Sequence, residues 1–168
     1  MILCKTRAEA ESALQLVHAW SETNRLTVRP EKTGIVDASC CGGFDFLGYH
    51  FEQGGKRWPS QKALRQLRDR VRPLTRRSHG DSMTTIVARL TPVLRGWFVY
   101  FQHGNPLDFP RLDSWVRLRL RSIQRSRHKR KGRGRGLDHV RWPNAYFADL
   151  GLFSFATAHR LARQSARR

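Results

Sequence analysis

The sequence predicts an α+β fold, with a small α/β piece first and a mainly helical piece after it, and three observations carry that prediction. After one helical stretch, apolar residues in the first fifty positions alternate in short runs, the spacing of strands. Past Gln53-Gly54-Gly55 they recur every third or fourth residue, the spacing of helices buried along one stripe. Charge divides at the same place. Residues 1–50 hold five basic side chains against six acidic ones, whereas residues 51–168 hold 27 against seven. Two parts follow, residues 1–53 and residues 54–168.

Each element has its own justification. Met1–Cys4 reads as a short strand. Residues 8–22 read as a helix, since Ala13, Leu16, Val17 and Trp20 share one face. Three strand-like runs follow, LTV, TGIVDA and FDFLGYHFE, with Gly42-Gly43 as the hairpin turn between the last two. Ser60 is an N-cap for a helix with Leu64, Leu67, Val71 and Leu74 on its stripe. A second helix starts near Ser82, aligns Ile86, Leu90, Leu94, Trp97 and Phe101, and should kink at Pro92. A third, with Asp108 as cap and Pro110 near its first position, buries Leu112, Trp115, Val116, Leu120 and Ile123. The stretch 126–136, SRHKRKGRGRG, has no apolar stripe and reads as a mobile basic loop that orders on a ligand. A last helix runs from Phe155 to Gln164.

The net charge of +19 narrows the classes of function. A solvated surface mixes signs, while one-sided charge of this size marks a polyanionic partner. Between Arg117 and Arg135, ten of nineteen residues are Arg or Lys and none is acidic. Arginine dominates, and its planar fork favours bidentate contacts with phosphate and base edges. A nucleic acid, RNA or DNA, is the expected partner. A membrane is disfavoured, because the basic stretches lack a broad apolar face and no apolar run reaches the ~20 residues that a span needs. The first residues, MILCKTRAEAES, lack the pattern of a secretory signal. Cys4, Cys40 and Cys41 form neither a disulfide framework nor a CxxC half-site, so a cytoplasmic setting is expected.

Several short motifs, taken in order, have a family look. Pro30-Glu31-Lys32-Thr33 and Phe44-Asp45-Phe46-Leu47-Gly48-Tyr49 lie in the first part. Leu94-Arg95-Gly96-Trp97-Phe98-Val99-Tyr100-Phe101 and Trp142-Pro143-Asn144-Ala145-Tyr146-Phe147, with Leu150-Gly151-Leu152-Phe153, lie in the second. Together they resemble the end of the palm and the maturase domain, or thumb, of group II intron reverse transcriptases, the last motif matching bacterial members. In that family the polymerase metals sit on a Tyr-Ala-Asp-Asp turn. No Asp-Asp dipeptide occurs in this sequence, and two-metal phosphoryl transfer needs carboxylates bridging both ions. The resemblance therefore implies no polymerase activity for this chain alone and no cofactor of its own. Magnesium is expected only with the missing aspartates or inside the intron RNA.

What the resemblance does imply is binding of group II intron RNA and assistance to its splicing. The expected contact residues are Lys62, Arg65, Arg68, Arg72, Arg76 and Arg77 on the first helix of the second part, and Arg95 on the next. Arg117, Arg121 and Arg125 on the third join them, with Arg127, Lys129, Arg130, Lys131, Arg133 and Arg135 in the loop. Trp58, beside Lys56-Arg57, is either a stacking platform for a base or simply packed. Phe46, Leu47, Gly48 and Tyr49 match a primer grip, in which Gly48 would let nucleic acid approach the backbone; a packed hairpin is the other reading. Lys32 is either an accessory polymerase residue or a surface lysine at a turn. Two rivals stand beside the maturase reading: one half of a split RNA-directed DNA polymerase that needs a separate N-terminal half, and a relic without function.

Overall fold

A computed structural model describes all residues except 39–41, 79, 133 and 166–168. It is α+β, and its chain forms two compact units, residues 1–44 with 52–54 and residues 45–51 with 55–168. Cys40, Cys41 and Arg133 fall outside the described residues.

The first unit is built on α1 (Arg7–Thr23). Thr6 caps it, its hydroxyl accepting from the Glu9 amide at 3.2 Å. The Asn24 side chain closes the other end by donating to the Trp20 carbonyl at 2.8 Å. The helix is the expected one, but its apolar stripe is open: Leu16 is 72% and Trp20 62% exposed. A 3₁₀ turn at Pro30–Lys32 follows. Met1–Cys4, LTV and TGIVDA are not strands. A strand exists only against a partner that takes its backbone hydrogen bonds, and no run described in this unit supplies one for them.

The second unit opens with a three-stranded sheet of order β1 (Phe44–Phe46), β2 (Tyr49–Glu52), β3 (Lys56–Pro59), whose strands fall almost wholly within it. Its hairpin turn is Leu47-Gly48, not the expected Gly42-Gly43. Both turn residues have positive φ, 47° and 78°, as a two-residue turn matched to strand twist requires. Here Gly48 has a second duty, since a Cβ on it would lie 3.3 Å from the Phe101 ring.

The core of this unit is helical. In α2 (Gln61–Leu74) the Ser60 hydroxyl accepts from the Ala63 amide at 3.2 Å, and Leu67 and Val71 are buried. In α3 (Met83–Phe101) Ser82 caps in the same way, and the helix continues through Pro92. In α4 (Asp108–Arg127) Phe109, Leu112, Val116, Leu120 and Ile123 are buried. Asp108 lies in its first turn rather than at the cap. Two short helices, α5 (Asp138–Arg141) and α6 (Asn144–Asp149), lead to α7 (Phe155–Ser165). Phe98, Phe109, Phe147, Phe155 and Trp142 join the aliphatic stripes in one core.

Two buried polar residues of α4 hold the C-terminal segment to it. The Asp113 carboxylate, 3% exposed, accepts from the Ser154 hydroxyl at 2.7 Å and from the Phe155 and Ala156 amides at 2.9 and 3.1 Å. A residue on one helix thus caps the N-terminus of another, where backbone donors are otherwise unpaired. Arg121, 2% exposed, donates to the Trp142 carbonyl and to the Asn144 side chain, both at 2.8 Å, and lies over the Phe147 ring. The Trp142-Pro143-Asn144-Ala145-Tyr146-Phe147 motif is the receptor for that guanidinium. Tyr146 adds a hydroxyl that accepts from Gln124 at 2.9 Å.

Candidate nucleic-acid interface

The end of α2 organises the basic surface. A helix C-terminus leaves carbonyls unpaired and carries a partial negative charge, so it attracts cations. Arg119, from α4, meets it: Nε donates to the Thr75 hydroxyl at 2.6 Å, and Nη2 to the Thr75 and Arg72 carbonyls at 3.2 and 3.3 Å. The Thr75 hydroxyl in turn donates to the Val71 carbonyl at 2.8 Å. Arg119 lies 5.6 Å over the half-buried Trp115 ring, one turn earlier on the same helix. A cleft of about 690 Å³ opens here, with Arg76, Arg77 and Ser78 on one wall and Trp115 and Arg119 on the other. Among the described residues no carboxylate lines it. Burial pushes the Arg119 guanidinium below its ordinary range, and the positive charges of Arg72 and Arg77 push it the same way.

The expected contact residues divide by environment. Lys62, Arg65, Arg72, Arg76 and Arg77 are exposed and Arg68 is half-buried. Arg76 and Arg77 lie past the end of α2, on the loop that forms the cleft wall. Arg72 pairs with Asp69 at 2.7 Å. Arg127, exposed at the end of α4, donates to the Asp81 carbonyl and so joins the α2–α3 loop to α4. Arg117 is half-buried, while Lys129, Arg130, Lys131 and Arg135 are exposed. Arg95 is exposed on α3, 6.0 Å over the Phe153 ring.

Arg121 is a correction: it belongs to the core, and its guanidinium has no route to a ligand. Arg125 is another residue with structural work, half-buried in an ion pair with Asp138 at 2.7 Å, where the Asp138 side chain is 1% exposed. That pair changes the picture of the basic loop. Arg125 also donates to the Lys131 carbonyl at 2.8 Å, and the Gly134 amide to the Ser122 hydroxyl at 3.2 Å. Gly134 sits against α4 so closely that a Cβ would come within 2.5 Å of Arg121. At Lys131 and Gly134 the segment rests on α4. Arginine-glycine alternation here serves close backbone packing as well as charge.

The primer-grip-like residues are tied to α3. The Tyr49 hydroxyl donates to the Tyr100 carbonyl at 2.6 Å, and the Tyr100 hydroxyl to the Leu47 carbonyl at 2.8 Å. The space beside Gly48 is taken by Phe101, so packing accounts for that glycine. Phe46 and Tyr49 are half-buried, and Leu47 is exposed. Trp58 is half-buried, its ring 5.3 Å from His50. Lys32 is exposed in the 3₁₀ turn. Among the described residues no group of His, Cys, Asp and Glu could hold a metal, and no helix is long and apolar enough to cross a membrane.

Arg119 is the residue that sequence reasoning missed. Its signal was present, because Trp115 and Arg119 are four apart and a helix stacks such pairs on one face. Thr75, its other partner, is remote in sequence.

No curated protein matches the chain. Residues 64–142, from the first turn of α2 to the Trp142 carbonyl that receives Arg121, match the family described as group II intron, maturase-specific domain. The match contains the whole cleft, the α2–α3 loop, α3, α4 and the basic loop. Over these residues the chain is similar to the group II intron maturase-specific domain.

Proposed function

We propose that this chain binds group II intron RNA through the surface formed by the end of α2, the α2–α3 loop, α4 and the segment after it, and that it thereby assists splicing. One observation carries the reading: Arg76, Arg77 and Arg119 converge on a cleft whose described walls hold no carboxylate, within the stretch that matches the maturase-specific domain. An uncompensated group of guanidinium ions is matched by a phosphate backbone. The chemistry is binding, since the intron RNA supplies its own catalytic site in this family. DNA would be held by the same backbone contacts, without the preference for a folded RNA. The test is filter binding of the full chain to a folded group II intron transcript and to an unrelated RNA of equal length, over a salt series. A preference for the intron that persists as salt rises supports the reading. Equal affinities that fall together leave only charge, at roughly −0.7 to −0.9 in log–log slope per phosphate contact.

The open stripe of α1 favours a second reading, in which a separate polypeptide supplies the rest of a polymerase palm. Leu16, Trp20 and Ile2 line a shallow apolar depression, and all three are more than half exposed. Apolar surface of this kind marks an interaction site. Under that reading the pair would form an RNA-directed DNA polymerase, its magnesium held by aspartates of the other polypeptide. Sedimentation of this chain mixed with a protein ending in a Tyr-Ala-Asp-Asp segment, with and without Trp20→Glu, decides it: a complex lost on substitution supports the split enzyme.

A further inference from the structure

The cleft beside α2 has more than charge. We infer that it is a seat for a single unstacked RNA nucleotide, with the base against the Trp115–Arg119 pair and the phosphate between Arg76 and Arg77. This rests on the RNA-binding reading above and adds a subsite to it.

Four observations converge. The volume, about 690 Å³, lies within the range of roughly 300–1,000 Å³ typical of small-ligand sites and is ample for one nucleotide. One wall is aromatic and cationic at once, because Arg119 lies 5.6 Å over the Trp115 ring. Unpaired bases of RNA stack on aromatic rings and on guanidinium planes, and this wall offers both. Arg119 cannot swing away, since its Nε and Nη2 hold the end of α2 through Thr75 and Arg72. The plane is therefore set before any ligand arrives, and a base that meets it does not have to order the side chain. Arg76 and Arg77 have the complementary property. They are exposed, lie beyond the helix and have no carboxylate partner among the described residues, so their forks are available to phosphate oxygens. A double-stranded helix would engage the rim arginines alone, because its bases are stacked and cannot enter.

The experiment compares fluorescein-labelled hexauridylate with the same oligomer lacking one central base, both binding the full chain at low salt. Stacking of one base is worth about tenfold in affinity, so the intact oligomer should bind about tenfold more tightly. Trp115→Leu should abolish that preference and Trp115→Phe should keep it, with circular dichroism melts showing that both variants fold. Because Trp115 packs partly on the core, Arg76→Gln/Arg77→Gln serves as a variant on exposed positions. It should weaken both oligomers alike and flatten the salt dependence by one to two contacts. No preference for the intact oligomer, or one that survives Trp115→Leu, overturns the subsite. If the folded intron transcript still binds selectively in that case, the subsite alone falls. If neither the oligomer nor the transcript binds, the RNA-binding reading falls with it.

Discussion

Replacing Arg121 separates a structural guanidinium from an RNA contact. The side chain is 2% exposed, so its interactions are not weakened by solvent. It makes two charge-assisted hydrogen bonds, each of 2.8 Å, to the Trp142 carbonyl and the Asn144 side chain. Removing a charged donor from a buried acceptor costs about 1.5–3 kcal/mol each. Loss of the contact over the Phe147 ring adds about 1 kcal/mol. Arg121→Gln should therefore lose roughly 4–7 kcal/mol, as much as the whole stability of a domain at the lower end of the usual range of about 5–15 kcal/mol. Arg121→Lys keeps the charge and one hydrogen bond but cannot reproduce the fork. It should lose about 2–3 kcal/mol and roughly 5–10 °C in Tm, and it stays folded enough to assay. Urea unfolding followed by circular dichroism gives the stability, and filter binding across salt gives the number of phosphate contacts. The expected pair of results is reduced stability with an unchanged salt slope. A variant as stable as the parent, with a slope flatter by about one contact, would refute the burial argument and return Arg121 to the interface.

Three further outcomes follow from the same geometry. Asp113→Ala should cost about 3–4 kcal/mol in urea unfolding, because it strips the acceptors from three donors at the start of α7; Asp113→Asn, which keeps one acceptor oxygen, should cost about half as much. Gly134→Ala should unseat the basic loop, since the new Cβ would meet the Arg121 carbonyl carbon and the Ser122 amide nitrogen of α4 at 2.8 and 2.9 Å; faster tryptic cleavage after Lys129–Lys131, with α4 still helical, is the readout. His159, packed at 4.8 Å on the Phe109 ring, is held below its ordinary pKa of 6.5 by burial and then by Arg163. The unfolded chain therefore takes up that proton first, so stability should fall as pH drops below about 6.5, and His159→Gln should remove this part of the slope.

The helical part was legible because its stripes depend only on local period. Leu67 and Val71, or Leu112, Val116 and Leu120, must face inward in any packed helix with that sequence. Ser60 and Ser82 were legible as caps for the same local reason. The first fifty residues were less so. LTV and TGIVDA alternate as strands do, yet alternation states a preference and not a partner. The hairpin turn was misplaced because Gly42-Gly43 is the stronger glycine signal, while Leu47 adopts φ of 47° against its own propensity. Within Arg117–Arg135 the sequence is almost uniform in charge, so nothing local told Arg121 from Arg127, and only the spacing from Trp115 set Arg119 apart. Their fates were decided by groups far away in the chain: Asn144 and the Trp142 carbonyl, Thr75, and the Asp81 carbonyl.

The folding of the Gly-Arg segment onto α4 has a thermodynamic consequence. A charged tail that orders on its ligand loses chain entropy at that moment and buries surface, which shows as a large negative heat-capacity change. Here the Arg125–Asp138 pair, the Arg125 bond to the Lys131 carbonyl and the Gly134 contact already hold part of the backbone against α4. Association should then have a small heat-capacity change, and its enthalpy should vary little with temperature.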